Sequence, residues 1–366
     1  MIYTLSQFQN FIPKRPTFAL FGYPIAHSVS PQLHASLFSQ AHIEADYIAV
    51  KVPPEQLETA FLLAKEKLAG CNLTIPHKIN VLPLLDHIDQ DAVVLGSVNT
   101  VRFDHGISYG YNTDIDGMSM ALNQDSISLK GKQVAILGNG GVSTMAAYLC
   151  SKEGAQVTIC ARDPQSLKAQ QLLHRLHQYD QAVNLTDFSH IPTETQMIIN
   201  GTPVGMSPKE DVSPLSLDNC SSLEYVFDCI YNPRRTLLLK EAQKRKVPHQ
   251  DGLLMLVGQA AKAQEYWLNI HFTSKQLLKT EQTLAAQLML KRIRDHYHKE
   301  NLVLCGFMGC GKTSVAKRLG ELLGISPLDT DQLIEQQEKK TISAIFKEHG
   351  EEKMCIRDRL HPWELR

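Results

Sequence analysis

Gly70-Cys71-Asn72-Leu73-Thr74-Ile75-Pro76-His77-Lys78 reads as a short buried strand that stops at a proline. Proline cannot donate to a strand ladder, so the residues behind it turn out towards a cleft. That puts a hydroxyl (Thr74), an imidazole (His77) and an amine (Lys78) on one loop. An amine so placed can polarise a carbonyl, donate a proton or bind an anion. The plain alternative is an edge-strand terminus with a solvated lysine, and the flanking sequence decides between the two.

Upstream, Thr17 to Gly22 is a buried strand, and Tyr23-Pro24-Ile25-Ala26-His27-Ser28-Val29-Ser30-Pro31 is a turn with Pro31 where a helix would begin. Ser28 and Ser30 suit helix caps, or hydrogen bonds to a polyhydroxylated or carboxylated ligand. Asp46 to Val52 is a second strand and Pro54 to Leu68 a helix, which leads to the Gly70–Ile75 strand. This alternation implies a mostly parallel α/β sheet with ligands at the carboxyl ends of its strands. Downstream, Gly96-Ser97-Val98-Asn99-Thr100-Val101 and Gly110-Tyr111-Asn112-Thr113-Asp114 each end an apolar segment on polar residues. Asp114 opens a helix from Ile115 to Leu122, where capping is its ordinary role. Residues 1–15 read as a loosely held extension.

Lys130 to Leu137 is a strand running into Gly138-Asn139-Gly140-Gly141-Val142-Ser143, then a helix to about Lys152 and a strand from Gln156 to Cys160. That succession is a dinucleotide-binding signal. The glycines let the backbone approach a pyrophosphate, whose charge the helix N-terminus stabilises. Cofactor choice is read at the end of the second strand, here Ala161-Arg162-Asp163. Met197 to Asn200 is a further strand, and helices are expected from Gln259 to Asn269 and from Ser274 to about Lys299. Asn301 to Cys305 then begins a new strand that leads into Gly306-Phe307-Met308-Gly309-Cys310-Gly311-Lys312-Thr313, a complete G-x-x-x-x-G-K-[ST] phosphate loop. In such a loop backbone amides cradle phosphates, Lys312 reaches the β/γ-phosphates of ATP and Thr313 contacts Mg²⁺.

Length and composition fit a soluble globular protein of two to three units. The chain has 366 residues, 43% hydrophobic and 20% charged, with 37 Lys+Arg against 38 Asp+Glu. Nothing in that balance pulls towards nucleic acid or an anionic membrane. No apolar run approaches the roughly 18–20 residues needed to span a bilayer, and the start lacks a signal-peptide pattern. Eight cysteines without a C-x-x-C pair point to reduced thiols in the cytoplasm rather than to zinc or disulfides.

The segments His27-Ser28-Val29-Ser30-Pro31, Asn72-Leu73-Thr74-Ile75-Pro76-His77-Lys78, Ser97-Val98-Asn99-Thr100 and Asn112-Thr113-Asp114 together closely resemble shikimate dehydrogenases. The resemblance implies a shikimate-binding α/β domain (16–118 with 253–290) and an NADP-binding Rossmann-like domain (119–252). It implies reversible NADP-dependent reduction of 3-dehydroshikimate to shikimate, a step of aromatic amino acid biosynthesis. Lys78 and Asp114 would be the catalytic pair, and Ser28, Ser30, Thr74, Asn99, Tyr231 and Gln259 would complete the substrate pocket. Gly138 to Ser143, Arg162, Asp163, Thr202 and Gly252 would meet the cofactor, with Arg162 on the 2′-phosphate. Two places depart from the family: Ala35 replaces its usual Asn, and Asp163 replaces Thr or Ser; the glycine turn is the compact form found in the family rather than strict G-x-G-x-x-G. Asp163 keeps NAD use open, and with it an NAD-using quinate/shikimate dehydrogenase. A non-catalytic dinucleotide or shikimate sensor is the alternative of another class. A homodimer is compatible with all of these.

From residue 301 to about 353 the chain resembles the beginning of a shikimate kinase. By that resemblance Gly306, Gly309, Gly311, Lys312 and Thr313 bind ATP, Asp329 joins Thr313 at Mg²⁺, and Asp331 holds a shikimate hydroxyl. About fifty residues give a parallel sheet bare edges and little core, so an inactive kinase module is expected. Residues 354–366 fit nothing in the kinase pattern and read as an unassigned tail.

Overall fold

A computed structural model of the chain describes residues 2–26, 28–179, 182–297, 302–304, 310–323 and 325–349. It divides into two units, Met1–Leu284 and Ala285–Arg366, a division that falls within the last long helix.

The first unit opens with β1 (Ile2–Thr4), α1 (Leu5–Gln9), β2 (Thr17–Gly22), α2 (Ser30–Ala41), β3 (Asp46–Lys51), α3 (Leu57–Lys67) and β4 (Gly70–Leu73). It continues with α4 (His77–Asn80), β5 (His87–Ile88), α5 (Gln90–Leu95), β6 (Thr100–Asp104), β7 (Ile107–Tyr111) and α6 (Asp114–Gln124). These strands form a seven-stranded sheet in the order β1-β3-β2-β4-β6-β7-β5. β2 is buried along its whole length, as a central strand covered on both faces must be. β6 runs antiparallel to β4 and β7. The β6–β7 turn is His105-Gly106, both at positive φ, which matches the twist of a two-residue hairpin.

Residues 1–15 are not a loose extension. β1 pairs in parallel with β3, Ile2 opposite Ala49, and Phe8 on α1 is fully buried edge-on to Phe21. A reciprocal cap starts α1: Gln7 N–H donates to Thr4 Oγ1, and Thr4 N–H donates to Gln7 Oε1.

A second sheet follows from β8 (Gln133–Leu137), α7 (Gly141–Lys152), β9 (Gln156–Cys160), α8 (Leu167–Gln178), β10 (Val183–Thr186), β11 (Met197–Asn200), β12 (Tyr225–Asp228), α9 (Leu237–Lys244) and β13 (His249–Asp251). Its order, β10-β9-β8-β11-β12-β13, is parallel throughout. Renumbered within the sheet it reads 3-2-1-4-5-6, the doubly wound order of dinucleotide-binding domains.

α10 (Leu253–Leu268) and α11 (Ser274–Tyr297) return the chain to the first sheet. α10 begins six residues before the expected Gln259, because Leu253, Leu254, Met255 and Val257 are all buried and leave no 3.6-residue polar rhythm to read. It crosses α6 at Gly117 and Gly258, where a Cβ on Gly117 would sit 2.3 Å from Met255 O. The helices meet backbone to backbone, which sets Gln259 against the first turn of α6.

In the second unit the described elements are α12 (Lys312–Leu323), α13 (Thr330–Glu338) and α14 (Ile342–His349). The strand expected from Asn301 to Cys305 is not formed at residues 302–304, which have no paired neighbour among the described residues; Asn301 and Cys305 lie outside these. No helix among the described residues is long and apolar enough to cross a membrane.

Candidate active site

The loop after β4 folds into the single helical turn α4. His77 does not face the cleft. It is fully buried, with Nε2 2.7 Å from Val52 O, and burial lowers its pKa. Lys78, on the other side of that turn, places Nζ 2.7 Å from Asp114 Oδ2. Their side chains are 32% and 20% exposed, so the pair is reachable by a ligand yet partly shielded from water. Asp114 does not cap its helix: Thr113 holds the cap position without a side-chain bond, and the carboxylate instead accepts from Lys78 and from Asn99 Nδ2 at 2.9 Å.

Ser28 and Ser30 lie at the start of α2, where Ser28 Oγ accepts from Ser30 N–H and bonds Ser30 Oγ, both at 3.2 Å; His27 lies outside the described residues. Thr74 follows β4 directly and is half-buried. Gln259 Nε2 donates to Leu256 O, leaving its oxygen uncommitted by that bond. Tyr231 is half-buried behind β12, and burial pushes its phenol up. Burial, then the Asp228 and Asp114 carboxylates, push up the thiol of Cys229, next to β12.

On the dinucleotide side Gly138 has φ +96, and a Cβ there would meet Thr202 Cγ2 at 2.8 Å. α7 starts at Gly141 with no side-chain cap, and nothing lies within 4 Å of a Cβ built on Gly140 or Gly141. Open amides at a helix start, reachable through Asn139 to Val142, fit a pyrophosphate. The Ser143 side chain faces inward, its hydroxyl donating to Leu137 O. Thr202 is held by Asn200 Oδ1, which accepts both its N–H and its hydroxyl. Asn200 in turn donates to Asp228, a fully buried carboxyl that burial pushes up to about 6 despite donors from Thr236, Ile230 and Asn200. Gly252 is pressed against Cys229, 2.1 Å from its carbonyl oxygen if it carried a Cβ.

Arg162 is exposed and carries no ion pair among the described residues. Asp163 is turned into its own loop, with Oδ1 accepting from Gln165 N–H at 3.0 Å. Sequence reasoning missed Asn72, Thr100 and Thr113, which are buried behind Asn99. Their signal was available: polar side chains on strands read as buried must find partners.

A family model described as the shikimate dehydrogenase substrate binding domain matches residues 20–101. A shikimate dehydrogenase (NADP(+)) of Methanopyrus kandleri is 38% identical over 257 residues, which cover 68% of this chain and 88% of that protein. The chain belongs to the shikimate dehydrogenases. A crystal structure of the Thermus thermophilus enzyme in complex with NADP(H) and shikimate superposes with TM-score 0.65 at 30% identity, covering 73% of this chain and 99% of that one. The Listeria monocytogenes enzyme, in complex with shikimate and NAD, has TM-score 0.69 at 28% identity over 73% of this chain and 97% of its own.

Beyond the dehydrogenase part, a shikimate kinase model matches residues 308–359. The match runs past residue 353 into the stretch read as an unassigned tail, all of which lies outside the described residues, as do Gly306 and Gly309. Gly311 has φ +85 and α12 begins at Lys312, whose Nζ is 3.9 Å from Cys310 Sγ. Thr313 is exposed. Asp329 caps α13 by accepting from Asp331 N–H, which leaves Asp331 exposed in the first turn.

Proposed function

We propose that the chain reduces 3-dehydroshikimate to shikimate with NADPH, reversibly, in the cytoplasm. The observation that carries this is the Lys78–Asp114–Asn99 arrangement, found in the same unit as the uncapped start of α7. Residues 16–118 and 253–290 then bind the substrate, and residues 119–252 the cofactor. NADPH supplies the hydride when bound.

Reduction of a ketone puts a hydride on carbon and a proton on oxygen. Lys78 supplies positive charge at the developing alkoxide and delivers the proton. Asp114 anchors Nζ, and Asn99 fixes the carboxylate that does the anchoring. Ser28, Ser30, Thr74, Tyr231 and Gln259 bind the carboxylate and hydroxyls of the ring, so that the keto carbon faces the nicotinamide. Steady-state turnover of Lys78→Ala with dehydroshikimate and NADPH tests the assignment. A fall in kcat of at least about 100-fold in a folded protein is expected from the loss of a general acid, and near-normal kcat would refute it.

The Listeria neighbour keeps the NAD-using alternative in view. Against it stands Asp163, whose carboxylate closes its own loop through Gln165 while Arg162 is left to a phosphate. We therefore assign NADP as the preferred cofactor.

A further inference from the structure

Behind Asn99 lies a chain of buried polar groups whose bonds can be oriented one by one. Thr113 N–H, which can only donate, points at one side-chain atom of Asn99 at 2.8 Å, so that atom is Oδ1. Asn99 Nδ2 must then face Asp114. The same logic fixes Asn72: its amide meets the Asn99 carbonyl oxygen at 3.1 Å, so Nδ2 sits there, and Oδ1 accepts from Tyr47 Oη at 2.7 Å.

Thr100 joins the two amides. It is fully buried, accepts from Asn72 Nδ2 at 2.9 Å, and lies 3.0 Å from Asn99 Oδ1 and 3.1 Å from Thr113 Oγ1. Two hydroxyl protons, from Thr100 and Thr113, are available to this cluster. In one arrangement Thr100 donates to Asn99 and Thr113 donates to Thr100. In the other Thr113 donates to Asn99 and Thr100 donates to Thr113. Both satisfy every group, and both need the Thr100 hydroxyl. Strand pairing brings the partners together, since Asn72 on β4 stands opposite Thr100 on β6.

We infer that Thr100 is a positioning residue for ketone reduction: through Asn99 it holds the Asp114 carboxylate in the orientation that seats Lys78. This rests on the Lys78–Asp114 reading above. Without the Thr100 hydroxyl Asn99 Oδ1 is held by Thr113 alone and Asn72 Nδ2 loses an acceptor, so the Asn99 amide is free to shift, and misplacement of a reacting group by about 1 Å can cost about 100-fold. Tyr47 reaches the same chain from its far end, more weakly, through Asn72.

The test is steady-state kinetics of Thr100→Val, Thr100→Ser and Tyr47→Phe beside Lys78→Ala, with thermal unfolding of each. Thr100→Val keeps the shape and loses the hydroxyl, so kcat should fall about 10-fold or more with KM for NADPH unchanged. Thr100→Ser should restore most of the loss, and Tyr47→Phe should lower kcat in the same direction by less. Wild-type kcat in Thr100→Val while Lys78→Ala is inactive overturns the inference and leaves the site reading intact. A loss that Thr100→Ser fails to restore, or one that falls on NADPH KM, overturns it in favour of packing. If Thr100→Val does not fold, Tyr47→Phe decides: unchanged kcat overturns the inference and a lowered kcat supports it. Active Lys78→Ala would instead refute the underlying reading.

Discussion

Lys78 and Lys312 each close a motif that is plain in the sequence, and the molecule treats the two differently. Lys78 is paired at 2.7 Å with a carboxylate 36 residues away, which two strands and a helix start bring into place. Behind it stand the buried groups Asn99, Thr113, Thr100 and Asn72. Lys312 begins a helix whose described surroundings hold little core: Ala286 and Ile334 are the buried hydrophobic residues of the second unit among those described. Val303, Val315, Ile325 and Leu328 are each at least half exposed there. A phosphate loop is a local device, complete within eight residues. A site that moves a proton needs groups from distant segments, and those need a folded framework.

The sharpest way to break this contrast is the same substitution in both places. Lys78→Ala should lower dehydroshikimate reduction by at least about 100-fold, whereas Lys312→Ala should leave it unchanged. The complementary assay offers shikimate and ATP to the intact chain. Formation of a phosphorylated product at an ordinary kinase turnover, on the order of 1–100 s⁻¹, would show that the second unit works as well as the first. We expect none, because phosphoryl transfer needs cationic groups around the moving phosphoryl, and the resemblance to kinases gives this segment the nucleotide loop and two aspartates only.

Next in size is the cofactor contact. Arg162→Ala should raise KM for NADPH by roughly 10–100-fold, the worth of a charge-assisted bidentate bond, and change KM for NADH little. Equal effects on the two would mean that Arg162 does not read the phosphate. Asp163→Ser should move preference further towards NADPH by removing a carboxylate from that loop.

The fold of the first unit was legible wherever a strand and its following helix are neighbours in sequence, as with Gln133–Leu137 and Gly141–Lys152. It was not legible at β1, whose three residues earn their place only by pairing with β3 across more than forty residues of chain. Nor was the start of α10, since a helix buried all round shows no amphipathic rhythm. Within the site, residue identities and order carried the Lys78–Asp114 pair. The burial of His77 and the hydrogen bonding of Thr100 were hidden, because both depend on what the neighbouring strand presents, Val52 O in one case and Asn72 in the other.

A smaller effect separates the polar frameworks of the two sheets. Burial holds Asp228 up to about 6, against an ordinary 3.8, so the native state binds its proton more readily than the unfolded chain. Its contribution to stability is present at low pH and is lost as pH rises from about 4 through 6, on the order of 2–3 kcal/mol. His34, buried in the first sheet's domain and lowered to about 3 from 6.5, acts oppositely: its contribution is lost as pH falls below 6.5. Urea unfolding between pH 4 and 7 should therefore show stability shifted towards a steeper rise with pH in Asp228→Asn than in the wild type. An unchanged slope would mean that Asp228 is ionised in the native state throughout that range.

The smallest expected effect is none. Among the described residues, every buried hydrophobic side chain except Ile334 lies before residue 301, and the last of them, Leu277, Leu284 and Ala286, sit on α11. A chain ending after residue 300 keeps both sheets, the α6–α10 crossing and all of α11. Among the described residues it loses one buried hydrophobic side chain, Ile334, and so little that burial could stabilise. Deleting residues 301–366 should then leave kcat, KM for both substrates and the dehydrogenase unfolding temperature as they were. A drop of more than about 2–4 °C, the shift that ~1 kcal/mol produces in a domain of 150–250 residues, would show that the dehydrogenase draws stability from the segment that carries the phosphate loop. In that event the contrast between Lys78 and Lys312 would describe one cooperative structure rather than a complete site and a separate, incomplete one.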